Sequence, residues 1–533
     1  MPMIRKSTLN SKKKDFRIKF PLKSCQSNPI HDRIFIWTYR NVRDKSYFVP
    51  SDTTDCSQIR LRADRKECKT IMNEHQNAAP VAENKMGIMP IGKLVFNMSL
   101  PMMVSMLVQA LYNIVDSIFV AKLSENALTA VSLAFPLQTL LIAVGAGTGV
   151  GMNALVSRSL GEKNRKLADR IATNGAFIYM LSYILFLILG FTVVRPFYAS
   201  QAGKADPEIM TMGIEYLSTV MIFSFGLFAQ FFFERLLTST GKTIFSMTSQ
   251  LTGALTNIIL DPILIFGLCG APKMGVTGAA AATVIGQCVA GVVAGTCHHK
   301  FNHEVNVELK GFRPDRKIIG NIYAVGIPSI IMQSIGSIMT YCMNRILIDF
   351  SATATAVFGV YFKLQSFFFM PVFGLNNGIT PIIAYNYGAQ KRKRMVHTIK
   401  LSMTVAFCLT FIGFLLFETI PQTLLGLFNA SDNLLAIGVP ALRIIGIHYL
   451  IAWFCIIAGT VFQALGKAVF SMIVSIMRQL FVLIPAAYIL ARIGGLHMVW
   501  WSFPIAELIS FAVSLTFLIR IYRTIIQKIP EEV

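Results

Sequence analysis

The sequence predicts an all-α membrane protein with twelve transmembrane helices arranged in two pseudo-symmetric six-helix lobes. Three observations support this fold class: the composition, the length of the apolar segments and an internal repeat. Of the 533 residues, 54% are hydrophobic and 14% are charged, which is too apolar for a soluble protein of this size. Because backbone groups in lipid must be hydrogen-bonded within their own segment, the spans are predicted to be helices.

Twelve apolar stretches are long enough to cross a bilayer, which takes about 20 residues at ~1.5 Å per residue. They are predicted to begin near Leu94, Ala127, Ile171, Met212, Ile244, Val276, Ile318, Thr355, Val396, Ile437, Ala468 and Met498.

The second half of the chain repeats the first. Pro101 in the first half matches Pro328 in the second. Three glycine pairs match at the same offset as the two prolines: Gly147 with Gly374, Gly151 with Gly378, and Gly161 with Gly388. A repeat of this length predicts an N-lobe of six spans over residues 72–305 and a C-lobe of six spans over residues 306–533.

Each lobe contains an even number of spans, so both copies enter and leave the membrane on the same side. This arrangement is typical of transporters that rock one half against the other. Channels also contain repeats, but this sequence lacks a short filter-like loop between spans. The repeat therefore favours transport by alternating access.

The net charge of +22 is distributed unevenly. Basic residues cluster at 158–170, 300–317 and 391–394, in loops that alternate to one side of the membrane, and the opposite loops carry few. The positive-inside rule then places both termini in the cytoplasm, in a multi-pass protein of the inner (plasma) membrane. The charge is thus a topology signal, and no nucleic-acid partner is expected.

Residues 1–71 differ from the rest, with 17 Lys and Arg against 7 Asp and Glu and no apolar run of signal-peptide length. The segment could be a basic tail that touches anionic lipid. The preferred interpretation is upstream sequence included by a misplaced initiation codon, because MNEHQ from Met72 resembles a natural start. It is predicted to be disordered.

Asp116 lies in the apolar run from Leu94 to Ala121, within the stretch QALYNIVDSIFV that begins at Gln109. An aspartate at the centre of a spanning helix costs roughly 2.5–3.5 kcal/mol on insertion scales, so it normally faces a partner or a water-filled cavity. Asp116 is therefore a functional candidate. The alternative is an acid that only pairs with another helix or lies nearer the interface.

The fifth span contains a second lone acid, Asp261, in ALTNIILDPILIF. Pro262 follows it and removes a backbone donor, which tends to kink a helix. Residues four apart share a helix face, so Asn257 with Asp261, and Tyr112 with Asp116, can each present a polar pair to one cavity.

Several motifs together resemble the multidrug and toxic compound extrusion (MATE) transporters, most closely the DinF- and MepA-like bacterial branch. They are QxLYNIVDxxFV in the first span, LTAVSLAFP in the second, the loop SLGEKNR, and NIILDPILIFG followed by PKMGVTGAAAAT. The resemblance covers about Leu94 to Arg523. It implies a V-shaped protein of two six-helix lobes that exports organic cations or amphipathic drugs by antiport with protons or sodium.

The resemblance also implies roles for four residues. Asp116 matches the family's first-span acid and Asp261 its fifth-span acid, with Tyr112 and Asn257 as their polar companions. Some relatives place cation-binding acids in the C-terminal lobe. Here the eighth span offers Lys363 instead, and coupling is predicted in the N-lobe.

Desolvation and like charge both favour protonation of two carboxylates in a poorly hydrated cavity. The deprotonated pair attracts a cationic drug, and the protonated or sodium-loaded pair does not. Ion entry from outside would release the drug and change which lobe arrangement is favoured. No cofactor is expected beyond the coupling ion.

Other intramembrane polar residues are weaker candidates. His448 and Glu507, in the last three spans, and Gln109 are retained as possible secondary site residues, with structural pairing or snorkelling as the alternative. Glu234 and Arg235 are placed near a span end. His298, His299 and His303 have almost plausible metal spacing but lie in the basic loop between the halves, so no metal site is predicted.

The predicted function is that of a secondary active multidrug efflux transporter, acting as a monomer on small-molecule drugs or organic cations in the lipid bilayer. The sequence GAGTGVG from Gly145 follows an apolar helix, so close helix packing or local flexibility is predicted there instead of dinucleotide binding. An alternative is a flippase or exporter of a lipid-linked or anionic metabolite, which would favour a cationic cavity. A membrane-embedded transferase would need acids and histidines at one membrane face, so the chain is not predicted to be an enzyme.

Overall fold

The computed structural model describes residues 83–202, 207–308, 310–428 and 431–530, and all regular structure in these ranges is helical. The predicted basic extension, residues 1–71, lies outside them. The first half contains α1 (Lys85–Ile88), α2 (Ile91–Ala121), α3 (Glu125–Gly161), α4 (Arg165–Thr192), α5 (Val194–Ala202), α6 (Pro207–Ile222), α7 (Phe225–Ser239), α8 (Thr243–Phe266) and α9 (Val276–Phe301).

The second half follows the same plan after a connecting segment. It contains α10 (Arg316–Ile348), α11 (Ala352–Gly388), α12 (Arg392–Thr419), α13 (Pro421–Gly426), α14 (Asp432–Gly446), α15 (Tyr449–Ala464), α16 (Ala468–Ile476), α17 (Ile484–Val499) and α18 (Ser502–Ile521). A π-helical turn, Met477–Leu483, joins α16 to α17, and another, Tyr522–Ile526, follows α18. We call α2 to α9 the N-lobe and α10 to α18 the C-lobe.

The prediction of twelve spans is confirmed over the described residues. Ten helices are long and apolar enough to cross a membrane, counting α16 to α17 as one, and two bent pairs complete the set. The pair α6 and α7 is bent by 43°, and the pair α14 and α15 by 51°. The last span begins at Ser502, slightly after the predicted Met498. Hydropathy therefore located the spans but did not reveal the bends.

The internal repeat is visible in local structure. Ser124 caps the N terminus of α3 by accepting a hydrogen bond from Ala127 N at 3.0 Å. Ser351, its equivalent in the repeat, caps α11 in the same way by accepting from Ala354 N at 3.0 Å. A serine at this position satisfies a backbone N–H that has no partner within the helix. Equivalent helices in the two lobes thus begin by the same device.

The repeated glycines lie where the lobes touch. A Cβ atom added to Gly161 would lie 2.0 Å from the carbonyl oxygen of Tyr385, and one added to Gly388 would lie 2.2 Å from that of Arg158. Arg158 and Tyr385 are themselves equivalent positions of the repeat, so the same contact is made twice across the pseudo-symmetry axis. Only glycine permits so close an approach of two backbones.

The other two glycine pairs make reciprocal contacts of the same kind. A Cβ on Gly147 would meet Ile330 N at 2.8 Å, and one on Gly374 would meet Met103 N at 2.6 Å. Gly151 likewise packs against α10 and Gly378 against α2. Close helix packing at the GAGTGVG sequence, predicted in place of nucleotide binding, is confirmed.

These interlobe contacts are confined to one end of the bundle. They lie in the halves of α2, α3, α10 and α11 nearer the loops 162–164, 302–315 and 389–391, and we call this end the basic end. In the opposite halves of α2 and α10, Leu111, Ile114 and Tyr341 are exposed. The lobes therefore meet at the basic end.

A short segment before the first span joins both lobes at this end. We call residues 83–89 the strap. On the N-lobe side, Asn84 Nδ2 donates to Thr240 O at 3.0 Å and also to the Glu304 carboxylate. On the C-lobe side, the backbone carbonyl of the buried Met86 accepts a hydrogen bond from Asn386 Nδ2 at 3.1 Å.

The C-lobe holds the strap mainly through two cations. Lys391 forms an ion pair with Glu83 and donates to Gly87 O at 2.9 Å. Arg394 Nη2 donates to Met86 O at 3.2 Å and to Met89 O at 2.6 Å. Hydrogen bonds from charged donors are among the stronger ones in proteins. The strap thus fastens the N terminus of α2 to the start of α12.

Candidate functional site

The first part of the candidate site lies on α8. Asp261 is fully buried, and Asn257, one turn earlier, is buried beside it. The side-chain amide of Asn257 donates to Asp261 Oδ2 at 3.2 Å and accepts a hydrogen bond from Thr283 N at 3.2 Å. The helix continues through Pro262 without a break. A carboxylate held this way, away from lipid and bulk water, is suited to exchange a proton or a small cation.

The second part lies on α2, which packs against α8. Oδ1 of Asp116 is buried and has no hydrogen-bond partner among the described residues. Asp116 is close enough to Asp261 for electrostatic repulsion, and Tyr112 interacts electrostatically with both acids. The structure therefore brings together Asp116, Asp261, Tyr112 and Asn257. Their roles remain a prediction.

A small cavity of about 90 Å³ adjoins these residues. Tyr112, Asn257 and Gln109 are among its lining residues, and the two acids are not. A water molecule occupies about 30 Å³ of liquid, so the cavity has room for an ion with a few waters. Drug-sized ligands need about 300–1,000 Å³. The cavity is therefore large enough for a small ion with a few waters and smaller than a drug-sized site.

A third buried acid was underestimated from the sequence. Glu234, on α7, accepts from Gln230 Nε2 at 2.9 Å and from Gln250 Nε2 at 2.8 Å, and both glutamines line the cavity. Ser249 Oγ lies 3.3 Å from the same carboxylate. The four-residue spacing of Gln230 and Glu234 was a signal for this group. Glu234 was ranked as a weaker candidate because hydropathy placed it near a span end.

The cavity also extends to the contact between the lobes. Arg235, one of its lining residues, donates from Nη1 to Oδ1 of Asn377 in α11 at 3.0 Å. Nε of Arg235 is buried without a hydrogen-bond partner among the described residues. The ion-sized cavity is therefore connected by one side chain to the C-lobe.

The C-lobe contains a separate polar cluster. Glu507, whose side chain is 4% exposed, pairs with Arg478 at 3.3 Å from Nη1 to Oε2. Oε1 of Glu507 has no hydrogen-bond partner in the described part of the chain. Arg478 lies in the π-helical turn between α16 and α17, where the wider helix redirects its side chain.

His448 lies at the bend between α14 and α15. Its Nδ1 is 2.5 Å from the carbonyl oxygen of Ile445, so this nitrogen carries a proton, and its Nε2 is 3.5 Å from Nε2 of Gln365. The ring stacks on Phe369, with centroids 6.1 Å apart. His448 and Glu507 interact electrostatically but share no direct bond.

Comparisons with known proteins agree with this architecture. The MatE family model matches residues 101–263 and again residues 328–489. The chain belongs to the MATE family. It is therefore a multi-pass membrane transporter and not an enzyme. The two matches begin at Pro101 and Pro328, the prolines that mark the internal repeat.

Individual MATE relatives cover most of the chain. The multidrug export protein MepA of Staphylococcus haemolyticus is 29% identical over 78% of this chain and 91% of its own length. A multidrug resistance MATE transporter solved in the outward-facing conformation matches with a TM-score of 0.79 and 25% identity, over 84% of this chain and 99% of that chain. The predicted V-shaped fold of two six-helix lobes is confirmed.

A further solved relative differs in its described function. A transporter of the same superfamily from Pyrococcus furiosus, whose reversed pocket polarity is described as suggesting a different function, matches with a TM-score of 0.78 and 25% identity. It covers 84% of this chain and 99% of its own. The shared fold therefore does not identify the substrate, which depends on the residues of this chain.

Proposed function

We propose that this MATE protein is a secondary active multidrug efflux transporter that exports organic cations or amphipathic drugs by antiport with protons or sodium. The observation that carries the proposal is the pair of carboxylates in apolar spanning helices, Asp116 and Asp261, whose companions Tyr112 and Asn257 line an ion-sized cavity. The similarity to MepA multidrug export proteins supports it.

The coupling step follows from the surroundings of Asp261. When both acids are charged, the site attracts a cation. Protonation, or sodium bound among the oxygens of Asp261, Thr283 and Tyr112, would cancel this attraction. Oxygen ligands suit hard cations, and a proton needs only the carboxylate, so both ions fit this site. No cofactor is required for either exchange.

We propose that the cycle proceeds by alternating access between the lobes. Contacts at the basic end hold the lobes together there, and the opposite arrangement would require these contacts to separate. Because the loops at this end are rich in Lys and Arg, we place it in the cytoplasm of the plasma membrane, with both termini. One chain supplies both lobes, so we propose that the monomer is the transporting unit.

The strap supplies a test of this cycle. Replacing Arg394 with alanine removes its bonds to Met86 O and Met89 O. A hydrogen bond to a charged group is worth about 1.5–3 kcal/mol, so we expect the equilibrium to shift by about tenfold or more toward opening of the basic end. Distances between spin labels at the basic ends of the two lobes would measure it.

The matched control is Arg313→Ala, which removes the same charge from an exposed loop at the same end. It should leave the distance distribution unchanged. An unchanged distribution in Arg394→Ala as well would mean that the strap does not oppose opening.

We propose that Glu507 and His448, in the polar cluster of the C-lobe, make a secondary contribution to coupling. Glu507→Gln leaves Arg478 without its partner, so the thermal midpoint should fall, and the double variant Glu507→Gln/Arg478→Gln should recover it. In the recovered protein we expect a changed pH dependence of transport. A wild-type pH profile in the double variant would show that the pair is structural only.

Export of a lipid-linked or anionic metabolite is the second candidate function. Arg235 lines the cavity and Arg478 lies in the C-lobe cluster, so cations are present in both lobes. Transport measurements on purified protein in liposomes, under an imposed proton or sodium gradient, distinguish the two functions. Gradient-driven movement of ethidium supports drug antiport, whereas movement of an anionic lipid probe without ethidium transport supports the alternative.

A further inference from the structure

A basic groove lies on the outside of the C-lobe, far along the chain from the coupling acids. It has a volume of about 510 Å³ and runs between the first turns of α12 and Tyr522, in the π-helical turn after α18. The described residues that line the groove are Arg392, Lys393, Val396, His397, Lys400, Leu401, Thr404 and Tyr522. None of these residues carries a carboxylate. The groove is therefore lined by basic side chains together with neutral ones.

Three basic side chains of the groove lie on one face of α12. Lys393, His397 and Lys400 are spaced four and three residues apart, and all three are exposed. Side chains at this spacing point in the same direction along a helix. Tyr522 closes the other side, where its hydroxyl oxygen accepts from Arg392 Nη2 at 3.4 Å. An anion in the groove could thus be contacted from two helices.

The same face of α12 becomes apolar as the helix enters the span. Beyond Lys400, the spacing continues through Thr404 to Phe407, Phe411 and Leu415, which are exposed by 39%, 36% and 42%. The rings of Phe407 and Phe411 stack with centroids 5.5 Å apart. The face is therefore cationic at the basic end and apolar in the depth of the bilayer.

We propose that this groove binds the headgroup of an anionic phospholipid, with one acyl chain lying along Phe407 and Phe411. Basic pockets between helices at the cytoplasmic surface bind such headgroups, and tyrosine is favoured at the membrane interface. A soluble phosphate would use the cations but gain nothing from the apolar stripe. A phospholipid uses both halves of the face.

The test measures binding of fluorescent phosphatidylglycerol to the purified full chain in detergent. The double variant His397→Gln/Lys400→Gln should weaken binding about fivefold or more, since one Lys or Arg near the membrane surface contributes about a fivefold change in affinity. The control His303→Gln/Lys317→Gln makes the same two changes at exposed positions outside the groove and should bind as the wild type does.

A second variant separates lipid from free anion. Phe407→Ala/Phe411→Ala should weaken phosphatidylglycerol binding while leaving all groove cations in place. Phosphatidylcholine should compete poorly in every case. Wild-type affinity in the His397→Gln/Lys400→Gln protein would overturn the proposal. Complete displacement of the lipid by inorganic phosphate, with no effect of the phenylalanine changes, would reassign the groove to soluble anions.

Discussion

Bacteria that express Asp261→Asn are expected to retain a fluorescent organic cation as fully as cells without the transporter. Asparagine has the same shape as aspartate but carries no charge and exchanges no proton. Asp261 is fully buried, and its neighbour Asn257 lines a cavity of about 90 Å³, so the substitution removes the negative charge of Asp261 from the site.

The substitution should leave the fold intact. Removing an isolated buried charge eliminates a desolvation cost, and the new amide can still hydrogen-bond with Asn257. Asp116→Asn is expected to abolish efflux in the same way, because its Oδ1 has no competing partner among the described residues. The measurement is accumulation at several pH values, with and without sodium, at equal expression.

The control for these variants is Asp349→Asn, the same change at an exposed aspartate at the end of α10. It should export the cation normally. Wild-type efflux and ion dependence in Asp116→Asn/Asp261→Asn would assign the acids a structural role and favour the lipid-linked or anionic substrate.

Charge in an apolar segment is rare, so the sequence alone marked Asp116 and Asp261 as candidate coupling residues. Asp116 and Asp261 each stand alone in a spanning stretch, and a partner four residues away on the same face completes each pair. Their mutual approach depends on α2 packing against α8. Hydropathy does not determine which helices are neighbours, so this proximity was implied by the family resemblance and not by the spacing.

Other features depended on bends and on contacts distant in sequence. Glu234 belongs to a span broken after Ile222, and a hydropathy window assumes a straight helix. The strap contains only one four-residue helix, too short to show periodicity, and its contacts with Lys391 and Arg394 join segments from opposite halves of the chain. Such contacts are specified by the assembled lobes and have no local signature.

The repeated glycines allow the backbones of the two lobes to come into close contact. Replacing one of them with alanine should therefore force the lobes apart. Gly388→Ala would place a Cβ atom 2.2 Å from the carbonyl oxygen of Arg158. The obstructing atom belongs to a helix backbone, so it cannot rotate away as a flexible side chain would. The lobes must separate locally, and overpacking of this kind costs about 1–3 kcal/mol. Gly161→Ala imposes the reciprocal clash with Tyr385.

We expect each alanine variant to shift the lobes toward opening of the basic end, and the double variant to shift them further because the two contacts are equivalent. The measurement is the distance between spin labels at Lys166 and Lys393, which occupy equivalent positions at the starts of α4 and α12, in a protein whose native cysteines are serine. Gly359→Ala is the matched control, because it lies in the same helix as Gly388 and a Cβ there meets nothing within 4 Å.

The distances also decide how the two lobes couple to transport. If Gly388→Ala lengthens the label distance and lowers efflux while Gly359→Ala does neither, closure of the basic end is a required step of the cycle. If the distance lengthens but efflux stays normal, the interlobe glycines serve packing alone, and alternating access must use a different contact. Because Asp261→Asn leaves these glycines untouched, a normal label distance in that variant would separate loss of coupling from loss of closure.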